Sequence, residues 1–73
     1  GDIVADGGRT YVDADATLHL AGHAASVEIF AASGALVKAV SNPGATVSLA
    51  ALPAGVYVIR VTGENTSALK WVK

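Results

Sequence analysis

Hydrophobic residues recur along this chain with a period of two, not 3.6. Leu18 and Leu20 alternate with Thr17 and His19, Val27 and Ile29 with Glu28 and Phe30, and Val47 and Leu49 with Thr46 and Ser48. Tyr57, Ile59 and Val61 alternate with Val58, Arg60 and Thr62, and Leu69 and Trp71 with Lys70 and Val72. Successive side chains of a strand point to opposite faces, so this period marks half-buried β-strands. The runs are rich in β-branched residues, which suit a pleated surface. Strands are expected at 3–5, 9–13, 17–21, 26–31, 35–40, 46–49, 56–62 and 67–72. The alanine-rich segment 50–54 would tolerate a helix, but Pro53 and Gly55 confine it to a turn.

The turns between the runs have identifiable chemistry. Asp6-Gly7-Gly8 lies between Ile3-Val4 and Tyr11-Val12 and suits a hairpin, because Asp and Gly tolerate positive φ. Ser33-Gly34 separates Val27–Ile29 from Leu36–Val40 and reads as a second hairpin. In Asn42-Pro43-Gly44, proline presets φ and glycine takes the left-handed position. Pro53-Ala54-Gly55 is another turn, and Gly63-Glu64-Asn65 joins the last two strands as a third hairpin. Seven or eight short strands at this spacing make an all-β sandwich or barrel.

The chain has 73 residues, enough for one small domain over 1–73 and too few for two. It has no cysteine, so neither a disulfide nor a thiolate metal site can staple it. Hydrophobic residues make up 52% and aromatics only 5%, which favours a thin core of small side chains over a ligand cleft. The mean hydropathy of +0.49 suggests a piece of a longer protein. A net charge of −1 gives no case for nucleic acid. No run is long enough to cross a bilayer as a helix, and the acidic start is unlike a signal peptide. The charge is uneven: Asp2, Asp6, Asp13 and Asp15 crowd the first fifteen residues, while Arg60, Lys70 and Lys73 crowd the end. Either the two ends lie together and compensate, or the end forms a basic patch for a partner.

The ordered set of segments resembles the C-terminal sorting domain of type IX secretion (Por secretion system) cargo proteins. The likeness begins with the glycine-containing hairpin from Ile3 to Val12 and continues through Leu18-His19-Leu20-Ala21-Gly22. Val27-Glu28-Ile29-Phe30-Ala31-Ala32-Ser33-Gly34-Ala35-Leu36-Val37 looks like the family's strand, glycine turn and strand. Val47-Ser48-Leu49 and Leu52-Pro53-Ala54-Gly55-Val56-Tyr57 are similar to its alternating strand followed by L-x-x-G-V-Y. Lys70-Trp71-Val72-Lys73 is similar to its basic and apolar ending. Two departures are Trp71, where the family more often has an aliphatic residue, and Phe30, where Tyr is common.

The resemblance implies an Ig-like antiparallel β-sandwich of about seven short strands. It implies a non-catalytic address label on a secreted cargo, with no cofactor. The label would pass through the periplasm and be recognised by shuttle proteins and the outer-membrane translocon. A cell-surface sortase would then cleave it and join the cargo, the N-terminal domain of the same precursor, to anionic lipopolysaccharide. The cargo would end at the cell surface or outside the cell. On this reading the candidates for recognition are Gly34, Gly55, Val56, Tyr57, Lys70, Trp71, Val72 and Lys73.

Six of these candidates also have a plainer role. Gly34 and Gly55 supply backbone conformations that side chains resist. Tyr57 buries its ring and sends its hydroxyl to a backbone partner or to solvent. Trp71 anchors the last strand in the core beside Leu69. Lys70 and Lys73 either form a read-out face or guard an edge strand against stray pairing. If the last strand is an edge, a partner sheet could also receive it by strand addition. The patterned sequence runs to Lys73, as if the chain end itself were held and read.

His19 and His23 stand four apart, but with Gly22 between them and no thiolate or nearby acid to complete a metal set they are expected at the surface. Asp2, Asp6, Asp13 and Asp15 match no calcium loop. Ser26, Ser33, Ser41, Ser48 and Ser67 have no matching His and acid pattern, and no Gly-rich loop leads into a helix. The rival function is an Ig- or fibronectin-like accessory module that binds sugar or spaces domains. Few aromatics, two of them inward, weaken sugar binding. A subunit that polymerises through edge strands would need an incomplete sheet, against which the regular hairpins argue.

Overall fold

The computed structural model describes residues 10–22, 24–64 and 66–73. Among these residues there are seven strands and no helix: β1 (Tyr11–Val12), β2 (Thr17–His19), β3 (Ala24–Ala31), β4 (Leu36–Ser41), β5 (Thr46–Ser48), β6 (Val56–Gly63) and β7 (Thr66–Val72). The expected strand 3–5 and its Asp6-Gly7-Gly8 hairpin lie outside the described residues, as do Asp2, His23 and Asn65. All pairings are antiparallel. One sheet has the order β1-β2-β5, the other β4-β3-β6-β7. This is a small β-sandwich, and the order is Ig-like: the first, second and fifth strands share one sheet while the third and sixth pair in the other.

The period-two residues form the core. Leu18, Val47 and Leu49 come from the smaller sheet and its flank; Val27, Ile29, Tyr57, Ile59 and Val61 come from the larger. All eight are buried, and Leu20, Leu52, Leu69 and Trp71 pack against them. The burial of β6 alternates strictly from Val56 to Val61, so one residue of slippage would turn its whole apolar set to water.

The turns follow their residues. Gly34 has φ 95 and donates its N–H to the Ala31 carbonyl at 2.8 Å, closing the β3–β4 hairpin. Gly44 has φ 74, as the Pro-Gly turn requires, and Asn42 also adopts a left-handed φ of 52. Segment 50–54 is turn and bend, not helix. The first sheet is shorter than the alternation suggests. Its flanks bond outside the regular ladder: Leu20 N donates to the Ala45 carbonyl (2.9 Å) and Leu49 N to the Ala16 carbonyl (2.7 Å).

Candidate functional site

β6 and β7 pair in uninterrupted register from Val56↔Val72 to Thr62↔Thr66. Tyr57 and Trp71 therefore lie side by side on the inner face. Their rings stack at 5.5 Å between centroids, with planes 28° apart. The Tyr57 side chain is 4% exposed, and its hydroxyl donates to the Pro53 carbonyl at 2.5 Å. A buried phenol keeps its partner here by reaching back to its own preceding turn.

The ladder continues one pair beyond the strands. Lys73 N donates to the Gly55 carbonyl at 2.8 Å, and Gly55 N donates to the Lys73 carbonyl at 3.2 Å. The Lys73 ammonium also donates to the Ala50 carbonyl (2.8 Å) and to the Leu52 carbonyl. Lys73 thus holds the turn between β5 and β6, which carries the chain from one sheet to the other. Gly55 has φ 159, and a Cβ there would meet the Tyr57 ring at only 3.8 Å. Its demand for glycine is weaker than that of Gly34.

Lys70 and Val72 point the opposite way, to the outer face, where Val72 pairs with Val56 and Lys70 with Val58. Val72 is 63% exposed, and Val56 and Val58 are exposed beside it. Seven of the eight candidates accordingly gather at one end of the β6–β7 pair, split between two faces. Gly55, Tyr57, Trp71 and Lys73 hold the turn and the inner face; Val56, Lys70 and Val72 form the outer surface. Gly34 stands at the same end of the sheet, in the hairpin beyond Ala31, whose register partner is Tyr57. It is one strand removed from the others.

The family model described as a secretion system C-terminal sorting domain matches residues 11–73. The chain belongs to that family. It is a type IX secretion sorting domain, of a kind carried by cargo that is exported to the cell surface or extracellular space. No curated protein matches the chain.

The sorting domain also contains contacts that its sequence did not announce. His19 has an acidic partner after all: its Nε2 lies 2.7 Å from Asp13 Oδ2. Tyr11 stacks on the His19 ring at 4.7 Å, as its cross-strand neighbour. The other Asp13 oxygen accepts the amides of Asp15 (2.9 Å) and Thr17 (3.0 Å). Hydrogen bonding to His19 first, and then to the Thr17 amide, holds the Asp13 carboxyl below the usual carboxylate range. The turn it organises puts Ala16 at φ 59, a conformation that sequence rules assign to Gly, Asn or Asp. Asp13 with Asp15 two residues on was the available signal, as a side-chain-closed turn.

On the outer face Arg60 binds Glu28 at 2.9 Å through Nε, across the register pair Glu28↔Arg60. Its guanidinium also lies 5.3 Å from the Phe30 ring centroid. The acidic and basic ends of the sequence do meet: Asp13, Ala14 and Ala16 line one groove with Trp71, Val72 and Lys73. Among the described residues, Asp13 and Lys73 share this groove without pairing, since Asp13 binds His19 and Lys73 binds carbonyls. Among the described residues no group of three His, Cys, Asp or Glu could hold a metal ion.

Proposed function

We propose that this sorting domain is a non-catalytic address label, recognised in its folded state at the β6–β7 end. Shuttle proteins and the outer-membrane translocon of the type IX system would bind it after passage through the periplasm. A surface sortase would then remove it and join the cargo to anionic lipopolysaccharide. The family match over residues 11–73 carries this reading. The gathering of seven candidates at one end of the sheet supports recognition there. A label needs surface and shape more than reactive groups, and Val56, Val58, Lys70 and Val72 are exposed together on the outer face of this end.

A secretion assay tests the reading. A reporter with a signal peptide carries residues 1–73 at its C-terminus, in strains with and without a working translocon. Surface delivery only in the competent strain is expected. A folded reporter that stays in the periplasm of the competent strain would remove the sorting function. Trimming the last four residues is a poor probe of what is read, because it also removes Trp71 from its stack and Lys73 from its turn. Lys70→Glu avoids this, since the Lys70 side chain is on the outer face.

A further inference from the structure

The four sheet edges are not equally protected. β1 has two residues and β5 three, too short to template another strand. β4 carries a bulge at Val37, where the register slips between Ile29 and Phe30. It also places Lys38 opposite buried Ile29, turned toward the inner face. A bulge and an inward lysine are both devices that keep other strands off an edge. β7 has seven residues, regular register throughout and no partner strand on its other side among the described residues.

The hydrogen-bond pattern tells which groups of β7 are available. Gly55 and Lys73 exchange both backbone bonds, so the next such pairs toward the hairpin are Tyr57↔Trp71, Ile59↔Leu69 and Val61↔Ser67. The intervening residues, Thr66, Ala68, Lys70 and Val72, aim their N–H and C=O groups away from β6. The same four residues have exposed side chains. Backbone bonding capacity and outer-face side chains therefore coincide on one set of residues.

We propose that β7 is the docking edge of the domain, and that its occupant is an extended segment of a secretion-system protein added as a fifth strand. This rests on the sorting function proposed above. The segment is apolar beside Val72 and carries a carboxylate beside Lys70. Charge complementarity selects that chemistry: Arg60 on this face is already bound to Glu28, whereas Lys70 is exposed on the edge strand itself. Backbone bonds to the four residues give affinity, and the alternate side chains give selectivity.

Parity makes the test specific. Proline at 68 or 72 removes only an outward N–H, which an edge strand tolerates. Proline at 39 does the same on the β4 edge. Reporters fused to residues 1–73 with Ala68→Pro, Val72→Pro, Ala39→Pro or Lys70→Glu are compared with the parent for translocon-dependent export, with thermal melting as the check on folding. Export is expected to fall at least about tenfold for Ala68→Pro, Val72→Pro and Lys70→Glu, and to persist for Ala39→Pro. If a proline variant does not fold, Lys70→Glu decides alone, because it leaves the backbone intact. Normal export of folded Ala68→Pro and Lys70→Glu overturns the docking edge while leaving the sorting function in place. Loss of parent export overturns both. A dimer of the purified domain that Ala68→Pro dissolves makes the occupant a second copy and overturns the assignment.

Discussion

Tyr57 ties two parts of the fold together, because its ring stacks on Trp71 while its hydroxyl holds the Pro53 carbonyl. Tyr57→Phe keeps the ring and deletes only the hydrogen bond, leaving a partly buried carbonyl unpaired. The expected loss is about 1 kcal/mol in urea denaturation, with the strand pairing unchanged. No loss at all would mean that water replaces the hydroxyl. Asp13 is informative through pH. Its carboxyl titrates lower in the folded chain than in the unfolded one, so the unfolded chain takes up the proton first as pH falls. The stabilisation is complete above the ordinary carboxylate value of 3.8 and is lost as pH falls through the lowered folded value. Asp13→Asn removes the charge but keeps an oxygen for the Asp15 and Thr17 amides. The stability gap between parent and Asp13→Asn should therefore narrow as denaturation curves are taken from pH 6 down to about pH 2. A gap constant over that range would show that the charge of Asp13 contributes nothing.

The hairpins are the elements that the residues specify most directly. Gly34 holds φ 95, and a Cβ there would meet nothing within 4 Å. Gly34→Ala thus isolates the backbone cost of a left-handed alanine, about 1–2 kcal/mol. Gly22 has equally open surroundings and no such φ, so Gly22→Ala is expected to stay within about 0.5 kcal/mol of the parent. Equal thermal midpoints for the two variants would contradict this account of the β3–β4 turn. Gly34 was legible because a turn needing positive φ leaves its mark on one residue. Alternation likewise marked the inward faces of β3, β6 and β7, since burial acts on each strand separately. The Glu28–Arg60 pair could not be read, because its partners are 32 residues apart and meet only once β3 and β6 are in register. The Asp13–His19 contact was hidden for a similar reason: a β-turn brings together residues six apart that strand alternation treats as unrelated. The carbonyl contacts of Lys73 leave no mark on the reading of it as a read-out or edge-guarding lysine, because nothing local indicates that a turn some twenty residues earlier presents it with two carbonyls.

At the scale of the whole molecule, the last residues are part of the fold itself. A domain of this size buries a modest share of its surface, so its margin of stability is small. Lys73 joins β7 to the turn that crosses between the sheets, and Trp71 packs its ring against the core. Removing residues 70–73 takes away both, together with the stack on Tyr57. The expected cost is about 3 kcal/mol or more, the range for losing a large aromatic, which is much of what such a domain has. Lys73→Met keeps the stem and the backbone ladder and loses only the ammonium contacts, for about 1 kcal/mol or less on an exposed site. Melting and protease resistance measured beside export separate the two roles of the chain end. Trimmed domain should lose cooperative melting and export together, whereas Lys73→Met should stay folded and be exported. If the trimmed domain melted like the parent yet was not exported, the last four residues would be read for their chemistry and not for the shape they maintain. Coincident loss shows that export needs the folded end of the sandwich, where the edge of β7 with Lys70 and Val72, and the neighbouring Val56 and Val58 of β6, form one surface.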